Sequence, residues 1–80
     1  MHLSIYSLQK TLYEGTALSV NCKTQMGEIT VLDHHHPMVS VLSEGVMKVV
    51  DLEHKEHYIP ARGGFLEVQA GNKARLIIEE

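Results

Sequence analysis

Three consecutive histidines, His34, His35 and His36, follow Asp33, and His54 and His57 come further along. In an extended segment successive side chains alternate, so His34 and His36 point to one side as an H-x-H pair while His35 points away. Neutral imidazoles at that spacing can share one zinc, copper or iron ion, with the remaining ligands drawn from His54, Glu56 or His57. Solvated loop histidines are the plainer reading, and a chain with room for one small core strengthens it. Cys22 shares its phase with Leu18 and Val20, which suits a packed thiol better than a nucleophile exposed beside a base. Glu28 follows Gly27 and opens a strand carrying Ile29 and Val31, so its carboxylate sits at a loop rim. Glu79 and Glu80 close the chain, and Glu44 beside Gly45 reads as a turn residue.

An H-x-H pair in a small β-barrel resembles the first motif of the cupins, where glycine and five residues precede H-x-H and a glutamate follows after three or four more. Here six residues separate Gly27 from His34, and Ser40 and Val41 stand where the glutamate belongs. A small metal-binding cupin-like β-barrel is thus the alternative reading. No G-x-S-x-G, G-x-x-x-x-G-K or C-x-x-C occurs, so the common nucleophile, phosphate and redox motifs are missing.

The elements that must hold these residues are strands. Eighty residues bury only about 60% of the surface that the unfolded chain exposes, so nearly every segment has to feed one core. The composition is 44% hydrophobic and 21% charged with a formal charge of -3, and its seven Lys and Arg are scattered. Nucleic-acid binding needs a concentrated basic surface, and this chain has none. The N-terminal segment lacks a basic stretch followed by a continuous apolar one, and no run reaches the 18 or more apolar residues of a membrane span. The lone Cys22 cannot form an internal disulfide and fits a reducing, cytoplasmic environment. Any membrane association is expected to go through a partner.

Period-two alternation recurs along the chain, and no helical period does. Leu18, Val20 and Cys22 share one phase, as do Ile29 with Val31, Leu66 with Val68, and Ala74, Leu76 and Ile78. Turn signals punctuate these runs at Glu14-Gly15, Met26-Gly27, Asp33 to Pro37, Glu44-Gly45, Asp51 to Glu53, Gly63-Gly64 and Gly71-Asn72. Short strands at such spacing predict an all-β sandwich or barrel. Two stretches, Val46 to Val50 and Leu76-Ile77-Ile78, are apolar on both faces. The second face is either covered as in a central strand or left exposed to dock a partner.

Several segments, in order, resemble the epsilon subunit of the F-type ATP synthase. L-Y-E-G at Leu12 to Gly15 is similar to an early turn of that family, and G-E-I at Gly27 to Ile29 to the next. The loop His35-x-Pro37-Met38-Val39 follows, then Gly45 with its apolar run. G-G-F-L-E-V at Gly63 to Val68 is the most specific match, and A-G-N-K-A-R-L-I-I supplies the last strand. The match spans essentially the whole chain.

The resemblance implies a flattened sandwich of about ten short, mostly antiparallel strands, with residues 1–80 forming one β-sandwich domain. It implies a non-catalytic stalk subunit that links the gamma subunit to the c ring, peripheral on the cytoplasmic face of the inner (plasma) membrane, with no cofactor. Carried over by position, Ser7, His35 and Ser40 face gamma, Met38 and Leu42 add apolar contacts there, and Glu28 meets the polar loops of the c ring. Asp33 and His34 replace a usual proline and glycine, His36 replaces a small residue, and Arg62 stands where a small residue commonly precedes the glycine pair. The family's two C-terminal helices are not encoded here, so neither nucleotide binding nor an inhibitory extension is expected of this chain.

Overall fold

The final run of alternating residues shows how the sequence builds the protein: along Lys73–Glu79, Ala74, Leu76 and Ile78 turn inward while the residues between them face out. The computed structural model describes all residues 1–80 and contains eight strands and no helix. They are β1 (His2–Tyr6), β2 (Thr11–Thr24), β3 (Gly27–Leu32), β4 (Met38–Leu42), β5 (Gly45–Asp51), β6 (Glu56–Ala61), β7 (Gly63–Gln69) and β8 (Lys73–Glu79). The all-β sandwich expected from the sequence is present with eight strands instead of about ten, because β2 runs unbroken for 14 residues.

One sheet folds over itself into two layers. The first has the order β1-β8-β7-β4, and the second is β3-β2-β5-β6. All pairings are antiparallel except β1 with β8. β2 serves both layers: Thr11 to Thr16 pair with β1, Ser19 to Thr24 pair with β3, and Ala17 to Asn21 pair with β5. At its far end Thr24 pairs with Leu42 of β4.

The glutamate-glycine pair at 14–15 is not a turn. β2 continues through it, with Gly15 at φ 148, a backbone conformation that side-chain-bearing residues rarely adopt. The phase expected for Leu18 also fails. The β2–β5 register shifts between Ala17 and Ser19, so Ala17 takes the buried place and Leu18 is only half-buried. An extra residue on one strand reverses the inward phase beyond it, which period-two reading alone cannot register.

The inward side chains of both layers merge in one core of 17 buried residues. Leu3, Ile5, Val20, Val31, Val49, Leu66 and Leu76 are sealed completely. Met1 also lies in the core, and its amino group donates to the Ala17 carbonyl at 3.0 Å and pairs with Asp33. That ammonium group, followed by Asn72, holds the Asp33 carboxyl below its ordinary range. Asn72 also accepts the His34 N–H at 2.8 Å, joining the β3–β4 loop to the start of β8.

Candidate partner-binding surface

Core packing fixes what the first layer shows to solvent. Leu66 and Leu76 are paired across β7 and β8 and point inward, so their neighbours Phe65 and Ile77, also paired, must point outward. Val41 lies opposite Phe65 on β4, and Tyr6 lies beside Ile77 on β1. The result is a continuous outer row Tyr6–Ile77–Phe65–Val41 across four strands. Phe65 is 56% exposed, Val41 40%, Ile77 38%, and Val39 in the adjoining row 70%. That adjoining row continues from Val39 through Glu67 and Arg75 to Ser4. Arg75 donates to Glu67 at 2.5 Å and Gln69 donates to it at 3.1 Å, so the Glu67 carboxyl is held below its ordinary range. An apolar row bordered by a fixed ion pair is the anatomy of a protein-binding patch.

The outer face of the second layer is mixed, with a polar central row and with Leu32 and Val46 58% and 51% exposed beside it. Thr30, Asn21, Lys48 and Tyr58 form its central row. Asn21 donates to Thr30 at 2.8 Å, Tyr58 donates to Glu56 at 2.5 Å, and Lys48 lies 3.9 Å from Glu56. Polar groups in that row satisfy one another, whereas the corresponding row of the first layer is apolar. Of the two-faced stretches, Leu76-Ile77-Ile78 supplies Ile77 to the apolar row, and Val46 is exposed on β5.

The residues carried over from the resemblance fall at several places. Ser7 caps the β1–β2 turn: its hydroxyl accepts the N–H groups of Gln9 and Lys10 and donates to Glu80 at 2.6 Å. His35 lies in the β3–β4 loop, its Nδ1 2.8 Å from the His36 carbonyl. Because Ser7 is tied to the end of β8 and the His34–His36 loop to its start, the two stand at opposite ends of the first layer and flank the apolar row. Glu28 is exposed at the start of β3, opposite Lys23.

One residue of β4, Leu42, needs correction as a surface contact, while Met38 and Ser40 are half-buried. Met38, Ser40 and Leu42 pair with Val68, Leu66 and Gly64 and share the inward phase. Leu42 is 4% exposed, a core residue that presents nothing to a partner, and Met38 packs against the same core. The outward residues of this strand are Val39 and Val41. The inward phase of Leu66 and Val68 marks Phe65 as outward in sequence. Identifying Val39 and Val41 requires the cross-strand register as well.

The histidines do not form the H-x-H geometry. His34 has φ 61 in a turn, which breaks the extended backbone on which a same-side pair depends. No three His, Cys, Asp or Glu side chains come together in a way that could hold a metal ion. His57 instead bonds Asp51 at 2.8 Å and meets the Tyr13 ring edge-on at 5.5 Å. The bond from His57, with the N–H groups of Lys55 and Glu53, depresses the Asp51 carboxyl. These contacts brace the β5–β6 turn. Cys22 is sealed in the core, where burial pushes its thiol up to about 11. A cavity of about 420 Å³ at the β4–β5 end is lined by residues that include Leu12, Glu44, Val46, Ile59, Pro60 and Arg62.

Fold and surface together define a β-sandwich module whose first layer presents a continuous apolar outer row. Residues 1–80 match the family model described as the ATP synthase Delta/Epsilon chain, beta-sandwich domain. The chain belongs to that family. It is 32% identical over 72 residues to the ATP synthase epsilon chain of Bordetella avium (strain 197N), covering 90% of this chain and 51% of the relative. The epsilon chain of Nitrosococcus oceani is 30% identical over 69 residues, covering 86% and 49%. The chain therefore spans about half the length of these curated relatives.

Among solved structures, one chain in the Euglena gracilis mitochondrial ATP synthase OSCP/F1/c-ring assembly superposes with a TM-score of 0.93. Its sequence identity is 21%, and the match covers 100% of this chain and 51% of that one. A chain in the Tetrahymena thermophila mitochondrial ATP synthase central stalk/c-ring gives 0.84 at 16% identity, covering 100% and 63%. At these identities the likeness establishes the fold.

Proposed function

We propose that this chain is a non-catalytic part of the central stalk of the rotary ATP synthase, joining the gamma subunit to the ring of c subunits and supporting the coupling of ion flow to ATP synthesis. The observation that carries this reading is the exposed row Tyr6–Ile77–Phe65–Val41, continuous across four strands of the first layer. Solvent-facing aromatic and branched side chains in a continuous row gain free energy when a partner covers them. The family and the relatives' names supply the identity of that partner's complex.

In this reading gamma covers the outer face of the first layer, with Ser7 and His35 at its two ends and Val39, Val41, Phe65 and Ile77 between them. Glu28, on the β2–β3 hairpin, meets the ring. The chain has no helix long and apolar enough to cross a membrane. It is held peripherally, on the cytoplasmic face of the inner membrane, by the complex.

The test is co-elution and calorimetric titration of this chain against the gamma subunit of the same organism, with an EDTA-treated sample in parallel. A one-to-one complex that survives EDTA supports the stalk role. Absence of binding, with metal retained by untreated protein, overturns it in favour of a metal-binding module.

A further inference from the structure

On β6 the alternation that buries Ile59 turns its neighbours Tyr58 and Pro60 outward, and Tyr58 is left 61% exposed. Its hydroxyl donates to Glu56 at 2.5 Å and Lys48 is paired with it across the strands, so the phenol is held in place while most of the ring stays uncovered. Two residues along the same strand, Pro60 lines the cavity of about 420 Å³ together with Leu12, Val46 and Ile59. An exposed aromatic ring and an apolar hollow with room for one are thus neighbours, about 7 Å apart along β6. The charges at the mouth of the hollow are equally suggestive. Glu80 is engaged there by Ser7 at 2.6 Å and by Lys10 at 3.6 Å. Arg62 and Glu44 are exposed, and neither makes an ion pair within the chain. One free cation and one free anion therefore flank the hollow.

We propose that this side of the second layer binds a second copy of the chain about a two-fold axis, with Tyr58 of each copy entering the cavity of the other and Arg62 of each meeting Glu44 of the other. A two-fold contact requires one surface to carry both halves of every interaction. Ring, hollow, cation and anion all occur here on one small area, which makes that area complementary to its own rotated image. Covering the ring and the cavity wall removes apolar surface from water on both copies, and the ion pair, formed twice, fixes the register. The row Tyr6–Ile77–Phe65–Val41 belongs to the other layer and stays open in such a dimer, so the inference does not depend on the stalk reading.

The experiment is sedimentation equilibrium of the full chain over a concentration series, with isotope-filtered NMR on a mixture of labelled and unlabelled chain. The expected result is a dimer with intermolecular contacts from the Tyr58 ring to the methyl groups of Leu12 and Ile59. Tyr58→Ser is expected to raise the dimer dissociation constant by about tenfold or more. Arg62→Glu and Glu44→Arg should each weaken the dimer, and the double variant should recover it, because the exchanged charges are again opposite across the axis. Phe65→Ser should leave it unchanged. A chain that stays monomeric throughout the series overturns the proposal, as does a dimer that is indifferent to Tyr58→Ser, is lost in Phe65→Ser, or is not recovered by the double charge exchange. The intermolecular contacts of the unmodified chain decide the matter for any variant that loses the fold. Failure to bind gamma with the dimer intact would count against the stalk reading alone.

Discussion

Gly64 lies so close to the Ile77 carbonyl that a Cβ placed on it would sit 2.1 Å from that oxygen, and its φ of 135 is one that other residues rarely adopt. Its neighbour Gly63 meets neither restriction, the Leu42 carbonyl being an ordinary 3.6 Å from the corresponding position. Of the glycine pair, only the second is required by the backbone.

Gly64→Ala is therefore expected to cost about 3 kcal/mol or more, through both overpacking and a strained backbone. Gly63→Ala should change stability by less than about 1 kcal/mol. Urea denaturation of the two variants checks this; equal losses would contradict the close approach of β7 to β8.

Phe65→Ser is expected to leave the unfolding midpoint nearly unchanged, because the ring is outside the core, while weakening gamma binding by about tenfold or more. Leu76→Ala, one position away from Ile77 but inward, should cost about 2–5 kcal/mol. The pair separates surface function from packing. Loss of stability without loss of affinity in Phe65→Ser would assign the row to folding.

Acid should weaken the domain through Asp33, Asp51 and Glu67, whose carboxyls are all depressed by ammonium, imidazole, guanidinium or amide donors in the folded state. A folded-state value below the unfolded one means that the unfolded chain binds protons first. The stabilisation is thus complete above the ordinary carboxylate value of about 4 and is lost as pH falls through the depressed values. Thermal midpoints between pH 7 and pH 2 should decline in that acid window. Asp51→Asn should show a shallower decline than wild type.

Cys22 should resist a thiol reagent in the native protein at neutral pH, since it is both sealed and held as the neutral thiol. Complete modification is expected only when denaturant opens the core. Rapid native labelling with Ellman's reagent would show that the second layer opens locally.

Much of this fold can be read from alternation alone: Ala74, Leu76 and Ile78 all face inward, as do Leu66, Val68, Val20 and Cys22. Ala17 escapes such reading because its burial depends on a register shift that only the partner strand β5 defines. The apolar face was legible in part. Ile77 stands out as a second-face residue in a two-sided stretch, but joining it to Val41 requires the pairing of β4 with β7, strands more than twenty residues apart. Positional likeness carried Leu42 to a surface that its burial denies it. The alternative H-x-H pairing of His34 with His36 fails for a different reason, since a left-handed residue breaks the alternation of an extended run.

The long strand β2 also has a mechanical consequence. It begins paired with β1, at the end of the first layer, and finishes at the hairpin that carries Met26, with β3 and β5 on its two sides. A load applied at that hairpin along the strand axis pulls on one covalent run, so the flanking ladders are sheared as a set instead of being peeled open bond by bond. Sliding of one layer over the other would have to break this shared strand's pairing with β1 and with β4. The β2–β3 tip and β1 are consequently tied together by one unbroken covalent run.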